Sequence, residues 1–325
     1  MSEKEELIVK IKDLTGWDVK SQRFKIVTDT TQWMNIIRGD VIRIGGKDFL
    51  VKGNMCETRF GIEEQPKYWV LNTIEMDSGV DKILKMVFHE EFTAHIGILK
   101  IRCYRSPEKE ADVLSLVRGD PRFMQGFAYY DDMNNAVRAI DFIKGDTIFN
   151  YIYMINKSHE QFFFEDIPTI LRKLFESFRG IQLLHENKLC HGDIRNDHII
   201  IDRATGEYKW IDFDLKQDVS DFDTWSMGNI ISYSVGKGIR TFGQIIKGND
   251  FSDEVKNSLE PSDSSAFHNY RVMNLVKLYP YIPPKLSDIL LHFTINPKAF
   301  YSGIDEFCDD YHNMIETEFP SSINN

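Results

Sequence analysis

The stretch Leu189-Cys190-His191-Gly192-Asp193-Ile194-Arg195-Asn196-Asp197-His198-Ile199-Ile200-Ile201, followed by Trp210-Ile211-Asp212-Phe213-Asp214, decides how the rest of the chain is read. Asp193 and Asp212 lie nineteen positions apart. Between them come the apolar run His198 to Ile201, a turn at Arg203-Ala204-Thr205-Gly206 and the run Glu207 to Ile211, which together have the pattern of a β-hairpin. Either aspartate alone reads as an ordinary surface turn. Their order and spacing on either side of a hairpin make the pair informative.

Downstream, a helix is expected near Trp225 to Val235, with others at 285–294 and 303–318; in the last, Ile304, Phe307, Tyr311, Met314 and Ile315 recur at helical spacing. Upstream, Ile167, Ile170, Leu171, Leu174, Phe175, Phe178, Ile181 and Leu184 make a broad apolar face, so that helix should be largely buried. Ile143-Lys144-Gly145-Asp146 breaks the pattern and marks a boundary. Before it, VIRI, DFLVKG, YWVLNTIEM and KILKMVF, between Asp40 and Phe88, read as consecutive antiparallel hairpins, turned at Gly45-Gly46 and Asp77-Ser78-Gly79. A further strand over Ile96 to Cys103, a helix over Ser106 to Arg118 facing inward with Ala111, Leu114 and Val117, and a strand pair at 123–130 and 136–143 complete this part. Residues 1–38 read as an accessory segment of two short helices, Glu5 to Leu14 and Thr28 to Ile37, around the Gly16-Trp17 break. The expectation is an α+β chain divided into 1–38, a β-rich 39–143 and a mainly helical 144–325.

A composition of 42% hydrophobic and 27% charged residues over 325 positions supports a large core without disulfides. The four cysteines, Cys56, Cys103, Cys190 and Cys308, are too scattered for a C-x-x-C site and read as reduced thiols of a cytoplasmic protein. The net charge of −11 provides no basic field for nucleic acid or an anionic membrane, so a phosphate-bearing ligand needs local cations. Nothing in the N-terminal run resembles a signal peptide, and no stretch has the apolar length of a membrane span.

The run from His191 to Asp214 resembles the protein-kinase superfamily, whose catalytic loop reads H-R-D-L-x-x-x-N and whose metal-binding motif is D-F-G. Gly192 in place of the arginine is the H-G-D form of aminoglycoside phosphotransferases and RIO kinases. The resemblance implies a bilobal fold that binds ATP with Mg²⁺ or Mn²⁺ in the cleft between its lobes. It also implies phosphoryl transfer to a hydroxyl on a protein, serine or threonine among them, or on a small molecule. Asp193 would take the acceptor's proton, Asp212 would hold the metal, and Arg195 would neutralise the transferring group. Lys85, in Ile83-Leu84-Lys85-Met86-Val87-Phe88, sits like the lysine of V-A-I-K, and Glu110 like the helix glutamate that orients it. Asp223-Thr224-Trp225-Ser226-Met227-Gly228 is similar to the opening of the family's F helix, whose aspartate accepts backbone hydrogen bonds from the catalytic loop. The hinge would run Asp141-Phe142-Ile143, its backbone meeting adenine, with Ile140 as gatekeeper.

Three departures stand out. No G-x-G-x-x-G precedes Lys85, and Arg59-Phe60-Gly61 is assigned to the phosphates instead. His198 stands where the family has the asparagine that ligates a second metal; it is either a metal ligand or a buried structural histidine. Ten residues separate Asp212 from Asp223, with Ser220 their only hydroxyl, too short for a peptide-docking platform. The first two of these departures leave open a pseudokinase that binds nucleotide, or only partners, without transfer.

Overall fold

The computed structural model describes residues 2–20, 24–57, 65–96, 99–219, 221–297 and 299–320. In chain order, helix α1 (Glu3–Thr15) precedes strands β1 (Ile26–Val27), β2 (Val41–Ile44), β3 (Lys47–Glu57), β4 (Gln65–Glu75) and β5 (Val80–Lys85). Strands β6 (Glu91–Ile96) and β7 (Leu99–Arg105), helix α2 (Pro107–Leu116), and strands β8 (Gly126–Tyr130) and β9 (Ala136–Asp141) follow. Next come β10 (Gly145–Thr147), α3 (Ile148–Met154), α4 (His159–Glu165), α5 (Ile167–Glu186), β11 (Ile199–Asp202), β12 (Tyr208–Trp210) and β13 (Leu215–Gln217). Helices α6 (Phe222–Val235), α7 (Phe242–Lys247), α8 (Asp253–Ser258), α9 (Pro284–Leu291) and α10 (Ile304–Glu318) complete the order. No helix among the described residues is long and apolar enough to cross a membrane.

The chain forms two compact units, and the fold is mixed α+β. One unit comprises Met1–Glu90, Arg105–Asp120 and Met124–Ile143; the other comprises Glu91–Tyr104, Pro121–Phe123 and Lys144–Asn325. In the first, the described strands form a sheet ordered β1-β2-β3-β4-β5-β9-β8, antiparallel except for the β1–β2 pair. The expected hairpins are present. Gly45 and Gly46, at φ 56° and 72°, close the β2–β3 hairpin as a two-residue turn that needs left-handed backbone. A side chain at Gly45 would also drive its Cβ to 2.1 Å from the Tyr129 ring.

Alternation along β3 makes both faces of this sheet apolar. Phe49 and Val51 join Ile42, Ile44, Leu71, Leu84 and Val137 in one cluster, whereas Leu50 joins Val41, Met76 and the α1 residues Leu7 and Ile11 in another. Helix α1, capped by Ser2 with Glu5, covers the second face.

The helix expected over Thr28 to Ile37 does not form. Ile26 and Val27 pair instead with Val41 and Ile42, and only Trp33–Asn35 makes a short 3-10 turn. The Thr30 N–H and hydroxyl both donate to the buried Asp131 carboxylate at 2.6 Å, and these long-range bonds override a weak local preference. The strand expected over Ile96 to Cys103 is likewise part of a hairpin, β6 with β7, that assembles with the second unit.

In that second unit, α5 buries Ile167, Ile170, Leu171, Leu174, Phe178, Ile181 and Leu184, the face that the 3.6-residue spacing predicts. α6 and α10 pack against it. β11 and β12 form the expected hairpin, and β10 adds the third strand. A second small sheet runs β13-β7-β6, so the hairpin that precedes α2 in sequence pairs with the segment just after Asp212. Ile101, Cys103 and Leu215 are buried together at this junction.

Candidate functional site

The loop from His191 to His198 is suspended from one buried carboxylate. Asp223, in the first turn of α6, is fully buried and accepts the backbone N–H of His191 at 2.7 Å and of Gly192 at 2.8 Å, with His185 Nε2 at 3.0 Å. Asp221 occupies the N-cap of α6 and makes no side-chain capping bond, so Asp223 acts as a loop anchor rather than a helix cap. Burial opposes ionisation of Asp223, but the His185 bond, the neighbouring His191 and the Gly192 N–H hold its carboxyl below the ordinary range. Gly192 sits at φ 84°, a backbone region that favours glycine, which explains H-G-D at this turn.

Beyond the turn, the Asp193 N–H donates to His191 Nδ1 at 3.3 Å, and His198 Nδ1 bonds the Asp193 carbonyl oxygen at 2.7 Å. A carbonyl only accepts, so Nδ1 of His198 carries the proton, and in the neutral ring Nε2 presents its lone pair. That lone pair lies 3.6 Å from Asp212 Oδ2, while Nδ1 is 3.6 Å from Asp193 Oδ2. Asp212 and His198 supply one oxygen and one nitrogen that could hold a divalent ion, although no group of three His, Cys, Asp or Glu side chains suited to one occurs among the described residues. The remaining ligands would have to be phosphate or water oxygens.

Asp212 adopts φ 69°, a left-handed conformation uncommon outside glycine and tolerated by aspartate. Burial pushes the Asp193 carboxyl above its ordinary value, opposed by His198 and Arg195 and reinforced by Asp212. Arg195 is forked onto Asp197, Nε to Oδ1 at 2.9 Å, with Nη1 4.0 Å from Asp193 Oδ2. It thus reaches the edge of the Asp193 carboxylate while held by Asp197.

In the sheet unit, Lys85 on β5 meets Glu110 on α2, Nζ to Oε1 at 2.7 Å, with Glu110 wholly buried and the lysine side chain 11% exposed. Arg138 on β9, directly opposite Lys85 in the register, donates Nε–H to the other Glu110 oxygen at 3.1 Å. Sequence reasoning missed Arg138. A charged residue in the apolar strand Ala136–Asp141 was the available signal, because such a residue requires a buried partner.

Asp141 forms an ion pair with Lys82, and its N–H donates to the Gln125 carbonyl at 2.8 Å, so that backbone donor is already engaged. Ile140 is buried and Ile143 half-buried. Arg59, Phe60, Gly61 and Ser220 lie outside the described residues.

In these motifs the chain resembles protein kinases with an H-G-D loop. It is 30% identical over 87 residues to the EKC/KEOPS complex subunit bud32 of Dictyostelium discoideum, which is 27% of this chain and 32% of that one. It is 25% identical over 114 residues to the probable serine/threonine-protein kinase fnkE of the same organism, 34% of this chain and 8% of that one. The chain thus spans about a third or less of the length of these curated relatives. Among solved structures, the PknI kinase domain of Mycobacterium tuberculosis aligns with a TM-score of 0.47 and 11% identity, over 86% of this chain and 99% of that domain. No protein-family model matches.

Proposed function

We propose that this chain is an ATP-dependent phosphotransferase that passes the γ-phosphoryl group to a hydroxyl acceptor. The observation that carries this reading is the pair of carboxylates, Asp193 and Asp212, each 3.6 Å from one imidazole on a loop anchored by a buried aspartate. A chain that only binds partners has no need of a basic carboxylate held in this way. Asp193 orients the acceptor hydroxyl and takes its proton, Lys85 engages the α- and β-phosphates, and Arg195 faces the charge that develops on the transferring group. Asp212, with His198, would hold a divalent ion, whose chemistry when bound is to neutralise phosphate charge. ATP-to-ADP turnover by the pure chain, alongside thermal stabilisation by ATP, tests the proposal. Stabilisation without turnover points instead to a nucleotide-binding scaffold, a reading favoured by His198 at the family's asparagine position. Neither effect would point to an interaction protein.

Two expectations follow from particular residues. Lys85→Ala should weaken ATP binding or turnover by about tenfold or more, because it deletes a charge-assisted contact in a chain of net charge −11. Unchanged affinity together with unchanged turnover would remove Lys85 from the phosphate site. The second concerns the metal. Imidazole nitrogen suits Mn²⁺ better than the hard, oxygen-preferring Mg²⁺, so Mn²⁺ should serve at least as well, and His198→Asn should shift preference toward Mg²⁺. Initial rates in each metal decide it, and a strong Mg²⁺ preference that is identical in the variant would show that His198 is not a ligand.

A further inference from the structure

Arg138 lies on a central strand of the sheet and is 1% exposed, a place where an arginine persists only if fully paired. Its Nε–H goes to Glu110 Oε2 at 3.1 Å, while Nη1 donates to the Ala136 carbonyl at 2.7 Å and to the Met86 carbonyl at 3.1 Å. Ala136 belongs to β9, and Met86 directly follows Lys85 on β5. The guanidinium is therefore fixed by the backbone on which Lys85 is built, and it holds Glu110 Oε2 while Lys85 holds Oε1. Glu110 stands in the first turns of α2, which packs on β8 and β9 and buries Val113 and Leu114. Moving α2 away from the sheet would break a buried contact to each of two cations rather than to one.

We propose that Arg138 is a positioning residue for Lys85: it clamps Glu110 to the strand framework, so that the Lys85–Glu110 pair stands assembled in the ligand-free chain. This rests on the proposed role of Lys85 at the phosphates. In kinases generally, the corresponding ion pair must be in place for transfer, and helix movement controls it. A second cation on the same carboxylate makes that arrangement permanent. The short segment after Asp212, itself paired into the β13-β7-β6 sheet, is consistent with a chain that carries its order within the fold.

The test compares wild type with Arg138→Gln and Arg138→Lys, each measured well below its melting temperature. Arg138→Gln should raise the KM for ATP about tenfold to a hundredfold, with a much smaller change in kcat at saturation, and Arg138→Lys should recover part of the loss. A lowered Tm with unchanged KM would make Arg138 a strut of α2 and overturn the proposal. Acylation of Lys85 by an amine reagent without nucleotide, read by mass spectrometry, gives an answer independent of turnover. Release of the clamp should speed it several-fold in Arg138→Gln; an unchanged or slower rate would mean that Arg138 competes for Glu110 and would also overturn the proposal. A wild type that binds no ATP would defeat the phosphotransferase reading, while the acylation result would still judge the clamp. If Arg138→Gln does not fold, hydrogen exchange at the Arg138 Nε–H of wild type serves instead. Slow exchange is expected, and exchange at the rate of an exposed arginine would refute the clamp.

Discussion

Asp193→Asn should retain ATP·metal binding and lose about 10²- to 10⁴-fold in turnover, the usual contribution of a positioned general base. Asparagine matches aspartate in shape and cannot accept the acceptor's proton. The loop should keep its geometry, because its bonds at this position run through backbone: the Asp193 N–H to His191 and the Asp193 carbonyl to His198. Among the described residues, the side chain itself lies 3.6 Å from His198 and 4.0 Å from Arg195, longer than these backbone bonds. The loss should therefore appear in kcat, with thermal stabilisation by ATP preserved. Equal turnover by variant and wild type would take Asp193 out of the mechanism. Loss of ATP stabilisation would mean that the carboxylate serves binding rather than proton transfer.

The largest stability effect is expected at Asp223. Asp223→Ala strands two buried N–H groups, those of His191 and Gly192, and removes the partner of His185. At about 1–3 kcal/mol for each buried group left unsatisfied, the loss should reach about 3 kcal/mol or more. For a chain of this size that lowers the melting temperature by roughly 4–5 °C, and turnover should fall as well, because the loop carrying Asp193 loses its anchor. An unchanged melting temperature would contradict the anchor. The contribution also has a definite pH signature. Because the folded-state carboxyl is held below its ordinary value, its stabilisation is fully present above about pH 4 and is lost as pH falls through the lower folded value. Asp223→Asn lacks that titration, so the stability gap between wild type and variant should narrow in acid. A gap that stays constant from neutral pH down to pH 2 would show that the Asp223 charge contributes nothing.

The anchor illustrates what one-dimensional information carries. The strands from Val41 to Lys85, helices α5, α6 and α10, and the hairpin between Asp193 and Asp212 were all legible, because their apolar periodicities and turn residues are local properties. Lys85, Glu110, Asp193, Asp212 and Asp223 could be singled out as candidates from short motifs, because motif spacing is likewise a local property of the chain.

Tertiary structure decided the rest. Ile26 and Val27 became a strand, and Thr28 to Ile37 lost its helix, because β2 and the distant Asp131 supply partners that no local window contains. Residues Glu91 to Arg105 became a hairpin that joins the segment after Asp212, a pairing over more than a hundred positions. Arg138 gained its partners only when folding brought Glu110 and two strand carbonyls around it. Local sequence specifies which groups are present and the element each rides on. Which buried charge meets which is settled only when separate elements pack, because pairing energy depends on distance and burial, and neither is a property of the chain before it folds.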